Sequence, residues 1–300
     1  MDDLYNDAAA GEYQPEQFAE VSGKQSLREY LKSGGIRIGI GLVMTLCMII
    51  IALAAPLIAT NDPYRTDVVN RFQPPSWQYL MGTDEYGRDV FSRVIYGSRV
   101  SIFVGAGVVL FSTFAGTLIG LFAGYFRRID NSLMRVMDAF MAFPSILLAI
   151  AILAALGPNI GNVIVALAIV YTPRTARVVR GAVLSVREEA YVESARAIGL
   201  GNLRIMFRYI LPNVMAPLIV QATFILALSI LAEAGLSFIG AGTPPPTPSW
   251  GNILSDGRPH MYRAAWMTIF PGIFIMISVL GLNIFGDGLR DLLDPRQKEA

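Results

Sequence analysis

The stretch EEAYVESARAIGLGNLRIMFRYILPN (188–213) is a charged segment between two apolar runs. It carries three arginines and three glutamates, whereas only 16% of the whole chain is charged and 54% is hydrophobic. A soluble domain carries about 25% charged residues, so this chain lacks many of the groups that keep a protein surface hydrated. Its long apolar runs therefore decide the fold class, and the position of 188–213 relative to a lipid bilayer decides what that segment can do.

Six apolar runs are candidates for membrane-spanning helices, because about 20 mostly apolar residues cross a hydrocarbon core of about 30 Å. They are Ile36–Thr60, Val100–Phe126, Ala139–Gly157, Ile160–Tyr171, Val214–Gly240 and Met267–Phe285. Pro144, near the start of the third run, is expected to be a tolerated kink. The fourth run is short and can cross only if its helix continues through Pro173 and Arg174. The pattern predicts an all-α membrane protein with six transmembrane helices.

The distribution of positive charge predicts the orientation, since loops rich in Lys and Arg stay in the cytoplasm. With both termini inside, 17 of the 24 Lys and Arg residues lie on the cytoplasmic side. The polar segment then forms a cytoplasmic loop between the fourth and fifth spans. The predicted divisions are a cytoplasmic tail (1–35), a first transmembrane helix (36–60), a periplasmic loop (61–99), a five-helix core (100–290) that includes the loop 188–212, and a cytoplasmic tail (291–300).

Several function classes are excluded by residues that the sequence lacks. A net charge of +1 without a basic cluster argues against binding of nucleic acid. The single histidine cannot supply the H-E-x-x-H pattern of a zinc protease, and neither a G-x-S-x-G serine motif nor a G-x-x-x-x-G-K-[ST] phosphate loop occurs. We therefore expect no catalytic, cofactor or metal site in this chain. A secondary transporter driven by an ion gradient is the remaining alternative, although it would be expected to show inverted repeats and several carboxylates at the membrane midplane.

The polar loop has the pattern of two short helices separated by a break. Tyr191, Ala195 and Ile198 share one face of the first helix, with Glu193 and Arg196 off that face. Gly199 and Gly201 are expected to end this helix in the manner of a left-handed C-cap. From the residues alone, such a unit is either a solvated loop at the membrane surface or a docking element.

The second helix of the loop is expected to begin at Asn202, which can cap it. Its apolar residues fall on one face, namely Leu203, Met206, Phe207 and Ile210. Pro212 is expected to close this helix before the fifth span begins.

The outer loops carry two further patterns. Residues 84–98 predict an amphipathic helix whose Arg88 and Arg93 point away from its apolar face. The proline-rich segment 244–254 is expected to be extended and to present Trp250 at the membrane interface. Each segment is either a lid packed on the helix bundle or a surface that contacts a partner.

Two ionisable residues lie at or inside predicted spans. Glu233 lies within the fifth span, and Asp138 lies at the cytoplasmic edge of the third. Because a charge at the bilayer centre costs about 2.5–3.5 kcal/mol on insertion scales, such groups usually face the bundle or a hydrated cavity. Both residues are candidates for the translocation path, and pairing with a nearby arginine is the structural alternative for Asp138.

Several motifs resemble the permease subunits of bacterial ABC importers. Glu193-Ser194-Ala195, followed by Gly199 and then by Tyr209-Ile210-Leu211-Pro212, is similar to the EAA loop of that family, with Ser194 and Tyr209 as mild departures. The stretches 82–105, 244–254 and 286–296 resemble the C-type permease of the dipeptide, oligopeptide and nickel branch.

This resemblance implies a fold, partners and a role for the polar loop. The fold would be that of a type I ABC importer permease in the bacterial inner membrane, with both termini in the cytoplasm. The partners would be a second homologous permease, two ATPase subunits that use ATP and Mg²⁺, and a soluble substrate-binding protein. The residues expected to couple this chain to an ATPase are Glu189, Tyr191, Glu193, Ala195, Arg196, Gly199, Leu200 and Gly201.

Overall fold

The computed structural model describes residues 35–293, and every regular element among them is a helix. Five helices are long and apolar enough to cross a membrane. They are α1 (Gly35–Leu53), α3 (Val90–Tyr125), α6 (Ile160–Val186), a continuous helix over Asn202–Phe238, and α11 (Trp266–Leu293). A short α2 (Ala55–Ile58) follows α1, and α10 (Trp250–Gly257) precedes α11. The predicted all-α membrane fold is confirmed.

The third predicted span is not one helix. It divides into α4 (Arg127–Met141) and α5 (Ser145–Leu156), which meet at an angle of 91°. Pro144 has no N–H to donate and disfavours a helical conformation in the preceding residue, so it breaks the helix where a mild kink was predicted. With 12 residues, α5 is about 18 Å long, which is shorter than a hydrocarbon core. Residues 35–293 therefore contain five full spans, and a sixth only if the bent pair is counted as one.

The helix α3 begins earlier than predicted. It spans 36 residues, about 54 Å, and the Asp89 side chain caps its first turn by accepting a hydrogen bond from the backbone N–H of Ser92. The separate amphipathic helix predicted over 84–98 does not exist, because residues 90–98 are the first turns of α3. Arg88 and Arg93 are also buried, where exposure was predicted.

The fourth predicted span is extended through its proline and arginine, as a membrane crossing required. The helix α6 continues through Pro173 and Arg174 and reaches 27 residues. It packs closely on α3, because a Cβ atom added at Gly116 would lie 2.5 Å from Thr175 Cβ, and one added at Gly124 would lie 2.7 Å from Val183 Cβ. Glycines on α3 therefore allow the two backbones to approach.

The fifth span starts inside the polar loop. α8 (Asn202–Ile205), a π-helical segment (Met206–Ile210) and α9 (Leu211–Phe238) form one continuous helix. The N–H of Leu211 donates to the carbonyl oxygen of Met206, five residues earlier, and Pro212 follows directly. Pro212 therefore does not close a separate helix as predicted, since the widened turn accommodates a residue that has no N–H.

The end of the bundle opposite the polar loop is covered by residues 59–89 and 239–265, which we call the outer cap. Trp250, at the start of α10, is fully buried, and its indole Nε1–H donates a 3.0 Å hydrogen bond to the carbonyl oxygen of Val94. The predicted placement of Trp250 at the membrane interface is wrong, because α10 folds back onto α3, α9 and α11 and encloses the indole. The outer cap is therefore a packed part of the bundle.

Candidate coupling site

The polar loop folds as the predicted helix followed by a glycine break. The helix α7 (Ala190–Ala197) ends at Ile198, and Gly199 adopts φ +81°. The Leu200 N–H donates to the Ala195 carbonyl at 3.1 Å, and the Gly199 N–H donates to the Arg196 carbonyl at 2.9 Å. This pair of bonds is a Schellman motif, which needs a residue that tolerates positive φ at Gly199. The other predicted break residue, Gly201, lies at the N-cap of α8 with φ −65°.

The apolar residues of α7 divide between the bundle and the surface. Val192 and Ala195 are buried against Leu121, Val179 and Met206. Tyr191 and Ile198, which were predicted to share a face with Ala195, are 41% and 75% exposed. The buried side of α7 is thus rotated from the predicted face, because Val192 points into the bundle. Leu203 and Phe207 of the following helix are likewise 60% and 44% exposed.

These exposed apolar side chains define a surface that we call the coupling face, formed by Tyr191, Ile198, Leu203 and Phe207. Most of the other residues predicted for the coupling role are also exposed and surround it, namely Glu189, Glu193, Arg196, Gly199 and Gly201, while Leu200 is half-buried and Ala195 is buried. Burial and the neighbouring Glu189 raise the pKa of Tyr191 above its ordinary value. An apolar centre with a charged rim is a typical composition for a protein interface.

Two arginines connect the helices at this end of the bundle, the buried Arg187 and the half-buried Arg180. Arg187 Nη1 donates a 2.9 Å hydrogen bond to the carbonyl oxygen of Gly124 at the end of α3. Arg180 forms a two-pronged ion pair with Asp130 of α4 at 2.5 and 2.6 Å. Neither pair could be predicted from the sequence, since the partners lie 63 and 50 residues apart.

Asn202 has a different role from the predicted one. The N-cap of α8 is Gly201, and no side chain caps that helix. The Asn202 side-chain oxygen instead accepts a 2.9 Å hydrogen bond from the Tyr125 hydroxyl. The guanidinium of Arg196 lies 5.4 Å from the centre of the same tyrosine ring. Tyr125 therefore links both helices of the polar loop to the end of α3.

A cavity of about 360 Å³ opens beside the coupling face. Its lining includes three arginines and the residues that link the loop to α3: Tyr125, Arg127, Arg187, Glu188, Arg196 and Asn202. The excess of positive charge suits an acidic side chain from a docking protein.

The two candidate residues for a translocation path lie apart. Glu233 is fully buried inside the chain, where its carboxylate accepts hydrogen bonds from Ser237 at 2.7 Å and from Ser101 and Thr243 at 3.1 Å. Asp138 lies on α4 and pairs with Arg177 at 2.6 Å, and both side chains are more than half exposed. The structure therefore gives Asp138 an ion pair on the surface, and it gives Glu233 a place in the core rather than on an open surface.

Comparison with protein families gives two matches along the chain. Residues 116–299 match the family described as "Binding-protein-dependent transport system inner membrane component". Residues 39–75 match the family described as "N-terminal TM domain of oligopeptide transport permease C". The first match covers more than half of the chain and includes the whole coupling face.

Individual relatives agree with these matches over most of their length. A Brucella suis protein named as a peptide transport system permease protein is 53% identical over 259 residues, which is 86% of this chain and 88% of the relative. The dipeptide transport system permease protein DppC of Alkalihalophilus pseudofirmus is 46% identical over 284 residues, covering 94% of this chain and 93% of the relative. The di/tripeptide transport system permease protein DppC of Pseudomonas aeruginosa is 45% identical over 267 residues, covering 87% and 88%.

A solved structure supports the fold. The MetNI methionine ABC transporter, in an inward-facing conformation, contains a chain that matches with a TM-score of 0.51 and 20% sequence identity, covering 64% of this chain and 94% of that chain. The family matches, the identity to full-length relatives and the shared fold lead to one conclusion. The chain belongs to the family of inner-membrane permease components of binding-protein-dependent transport systems.

Proposed function

We propose that this chain forms half of the translocation path of an ATP-driven ABC importer for peptides. The peptide class is supported by the relatives named as peptide, dipeptide and di/tripeptide permeases. ATP and Mg²⁺ are used by two partner ATPase subunits, and this chain transmits their motion to the membrane helices. A soluble binding protein delivers the cargo from outside.

The coupling face carries this proposal. Tyr191 and Ile198 are apolar side chains that the chain itself leaves uncovered in an otherwise charged cytoplasmic segment. Exposed apolar patches of this kind mark interaction sites. Glu189, Glu193 and Arg196 at the rim supply the charges that orient a docking partner.

Transmission into the membrane follows from how the loop is attached. Val192 and Ala195 are buried against α3 and α6, and Arg187 bonds the end of α3 directly. A force on the coupling face therefore acts on two spans at once, since α3 and α6 are packed backbone to backbone at Gly116 and Gly124.

The second permease of the proposed heterodimer would cover the bent pair α4 and α5. Met137 is the one buried residue of α4. A cavity of about 600 Å³ with a largely apolar lining lies in the corner between the two helices, beside Val136, Phe140, Phe143 and Leu148. Asp138 lies on this same helix, and its position supports a role at the interface between the two permeases.

Cytoplasmic termini and a cytoplasmic coupling face are part of the proposal. The excess of Lys and Arg on the segments assigned to the cytoplasm supports this orientation. It puts the outer cap, which includes α10, on the periplasmic side of the bacterial inner membrane.

Reconstitution of the assembled transporter tests the proposal. The tagged chain is purified with its associated subunits, placed in liposomes, and supplied with the soluble binding protein and a labelled dipeptide. Uptake should require ATP hydrolysis and the binding protein, and a nonhydrolysable ATP analogue should abolish it. Uptake that follows an imposed ion gradient without ATP would instead identify a secondary transporter.

A further inference from the structure

A group of buried charges lies at the opposite end of α3 from the coupling face. Arg93 near the start of α3 and Tyr125 at its end are 32 residues apart, about 48 Å along the helix. In the proposed orientation, Arg93 therefore lies on the periplasmic side. This group takes no part in the coupling site.

Arg93 is a buried guanidinium with incomplete partners. It is 3% exposed, and its nearest carboxylates are Asp84 at 3.7 Å and Asp256 at 3.6 Å. Its Nη1 atom is buried and has no hydrogen-bond partner among residues 35–293. Leaving a buried, charged donor unpaired is unfavourable, so Arg93 is suited to an acceptor from outside the chain.

The neighbouring Arg88 donates hydrogen bonds to both aspartates. Its Nε donates to Asp84 at 2.5 Å, and its Nη2 donates to Asp256 at 3.2 Å. The backbone N–H groups of Tyr86 and Arg88 also donate to the carboxylate of Asp84, at 2.8 and 2.9 Å. Arg93 is thus the member of the group with unused donors.

Arg93 lines a cavity of about 190 Å³ that we call the arginine pocket. Its floor is formed by Arg88, Arg93 and Asp256, and its rim by Tyr86, Pro245 and Thr247. Arg88 and Arg93 are buried and Asp256 is half-buried, whereas Tyr86 and Pro245 are exposed. The cavity therefore leads from the surface to a guanidinium whose hydrogen-bonding capacity is not filled by residues 35–293, and a planar guanidinium is suited to a carboxylate.

The surface around the arginine pocket suits a protein partner. Trp77 and Tyr262 on the same outer cap are almost completely exposed. His260 Nε2 lies 2.9 Å from Glu85 Oε2, and this contact links the segment just before Tyr262 to the residue just before Tyr86. Exposed aromatic side chains around a desolvated charge are the usual composition of an energetically important contact.

We propose that the arginine pocket receives an aspartate or glutamate side chain of the soluble binding protein, which pairs with Arg93 when that protein docks. The inference rests on the proposed function, since it assumes that a binding protein approaches this face. It adds the chemistry of the contact: a carboxylate that enters between Tyr86 and Pro245 and accepts hydrogen bonds from the guanidinium of Arg93.

The test compares Thr247→Glu with Thr247→Gln in the complete transporter, held in lipid nanodiscs. The glutamate variant supplies a resident carboxylate at the rim of the pocket, and the glutamine variant matches its size without the charge. We expect Thr247→Glu to weaken the affinity for the soluble binding protein by about tenfold or more, and Thr247→Gln to change it by less than about threefold. Melting temperatures should stay at the wild-type value in both variants.

A second variant and a small probe complete the test. Arg93→Lys keeps the charge but loses the planar donor fork, so it should also weaken docking. Equal affinity of Thr247→Glu and Thr247→Gln for the binding protein would overturn the proposal. The proposal would also be overturned if Thr247→Glu docked the binding protein normally and bound the C-terminal amide of trialanine but no longer bound free-acid trialanine. The pocket would then hold the carboxylate of the cargo. Failure of wild-type transporter to bind any binding protein would count instead against the proposed function.

Discussion

Arg187 Nη1 donates a 2.9 Å hydrogen bond to the carbonyl oxygen of Gly124, and this bond joins the start of the polar loop to the end of α3. The guanidinium is largely buried, and its Nε also bonds Glu188 at 2.9 Å. Gly124 is also a point of close approach between α3 and α6. A displacement of the polar loop would therefore act on α3 through this bond and on α6 through the contact between the two helices.

Replacing Arg187 should loosen this connection. Arg187→Met keeps much of the side-chain volume but removes the donors, so it should lower the free energy of unfolding by about 2 kcal/mol and reduce transport more than ATP hydrolysis. The control Glu188→Gln changes only the exposed partner of this arginine and leaves the bond to Gly124 in place, so it should change stability by less than about 1 kcal/mol. Thermal unfolding of both variants, together with paired transport and ATPase assays, checks this. If Arg187→Met kept the wild-type ratio of transport to ATP hydrolysis, the bond between Arg187 and Gly124 would not be needed to transmit motion.

The glycine break should matter to a partner more than to this chain. Gly199 has φ +81°, and no atom of the described residues lies within 4 Å of an added Cβ. Gly199→Asn should be tolerated, because asparagine adopts left-handed backbone conformations and the site is open. Gly199→Arg should insert into the membrane normally but lose transport, either by shedding the ATPase or by uncoupling its hydrolysis.

Copurification of the ATPase with each Gly199 variant is the measurement. Because the chain leaves room for a side chain, loss of the ATPase in the arginine variant alone would point to a steric clash with the partner. Wild-type transport and ATPase retention in Gly199→Arg would mean that the loop is not the coupling element.

The buried carboxylate of Glu233 should be needed for the packing of the outer cap. It accepts hydrogen bonds from Ser237, Thr243 and Ser101, which lie on three different segments. Glu233→Leu leaves these hydroxyls without their acceptor, at about 1–3 kcal/mol for each one left unsatisfied, whereas Glu233→Gln keeps one acceptor oxygen. We expect the glutamine variant to assemble, and the leucine variant to lose stability and transport. Full transport by Glu233→Leu would show that the carboxylate is needed neither for the packing of the outer cap nor for transport.

The orientation can be tested by cysteine labelling at two exposed positions. Tyr262 on the outer cap and Ile198 on the coupling face are suitable, since both side chains are well exposed. Cys47 is exposed and must first be replaced by alanine. An impermeant maleimide added to intact cells should modify Tyr262→Cys and spare Ile198→Cys. Ser249, in the same outer region, is fully buried and would give no signal from either side.

Docking at the arginine pocket should depend on pH through Asp256. Burial raises the pKa of Asp256, although Arg93 and Arg88 oppose this rise and Glu85 and Asp84 add to it. An acid with a raised pKa becomes neutral sooner as the pH falls, so the pocket gains positive charge while an ordinary carboxylate on the partner is still ionised. Affinity for the binding protein should therefore increase as the pH falls through the raised pKa of Asp256.

The control for this pH dependence is Asp256→Asn, which fixes position 256 in a neutral form. Its affinity for the binding protein should change less over the same pH range than that of the wild type. If the wild type and Asp256→Asn showed the same pH dependence, a group other than Asp256 would be responsible for it.

The sequence predicted the features that depend on local composition. Runs of about 20 apolar residues identify membrane-crossing helices whatever surrounds them, because every backbone polar group must be satisfied within the bilayer. The break at Gly199 was equally visible, since positive φ after a short helix favours glycine at that point. The exposed charges around the coupling face followed from the helical spacing of Glu193 and Arg196.

Only the tertiary structure decided which surfaces meet. Periodicity assigned Tyr191 to the same face as Ala195, but packing against Leu121 and Met206 selected Val192 instead. Composition suggested a solvated Arg93 and an interfacial Trp250, yet α10 returns from 156 residues away and buries both. Burial of a side chain depends on neighbours that are distant in sequence, and no local pattern along the chain records which segments will cover it.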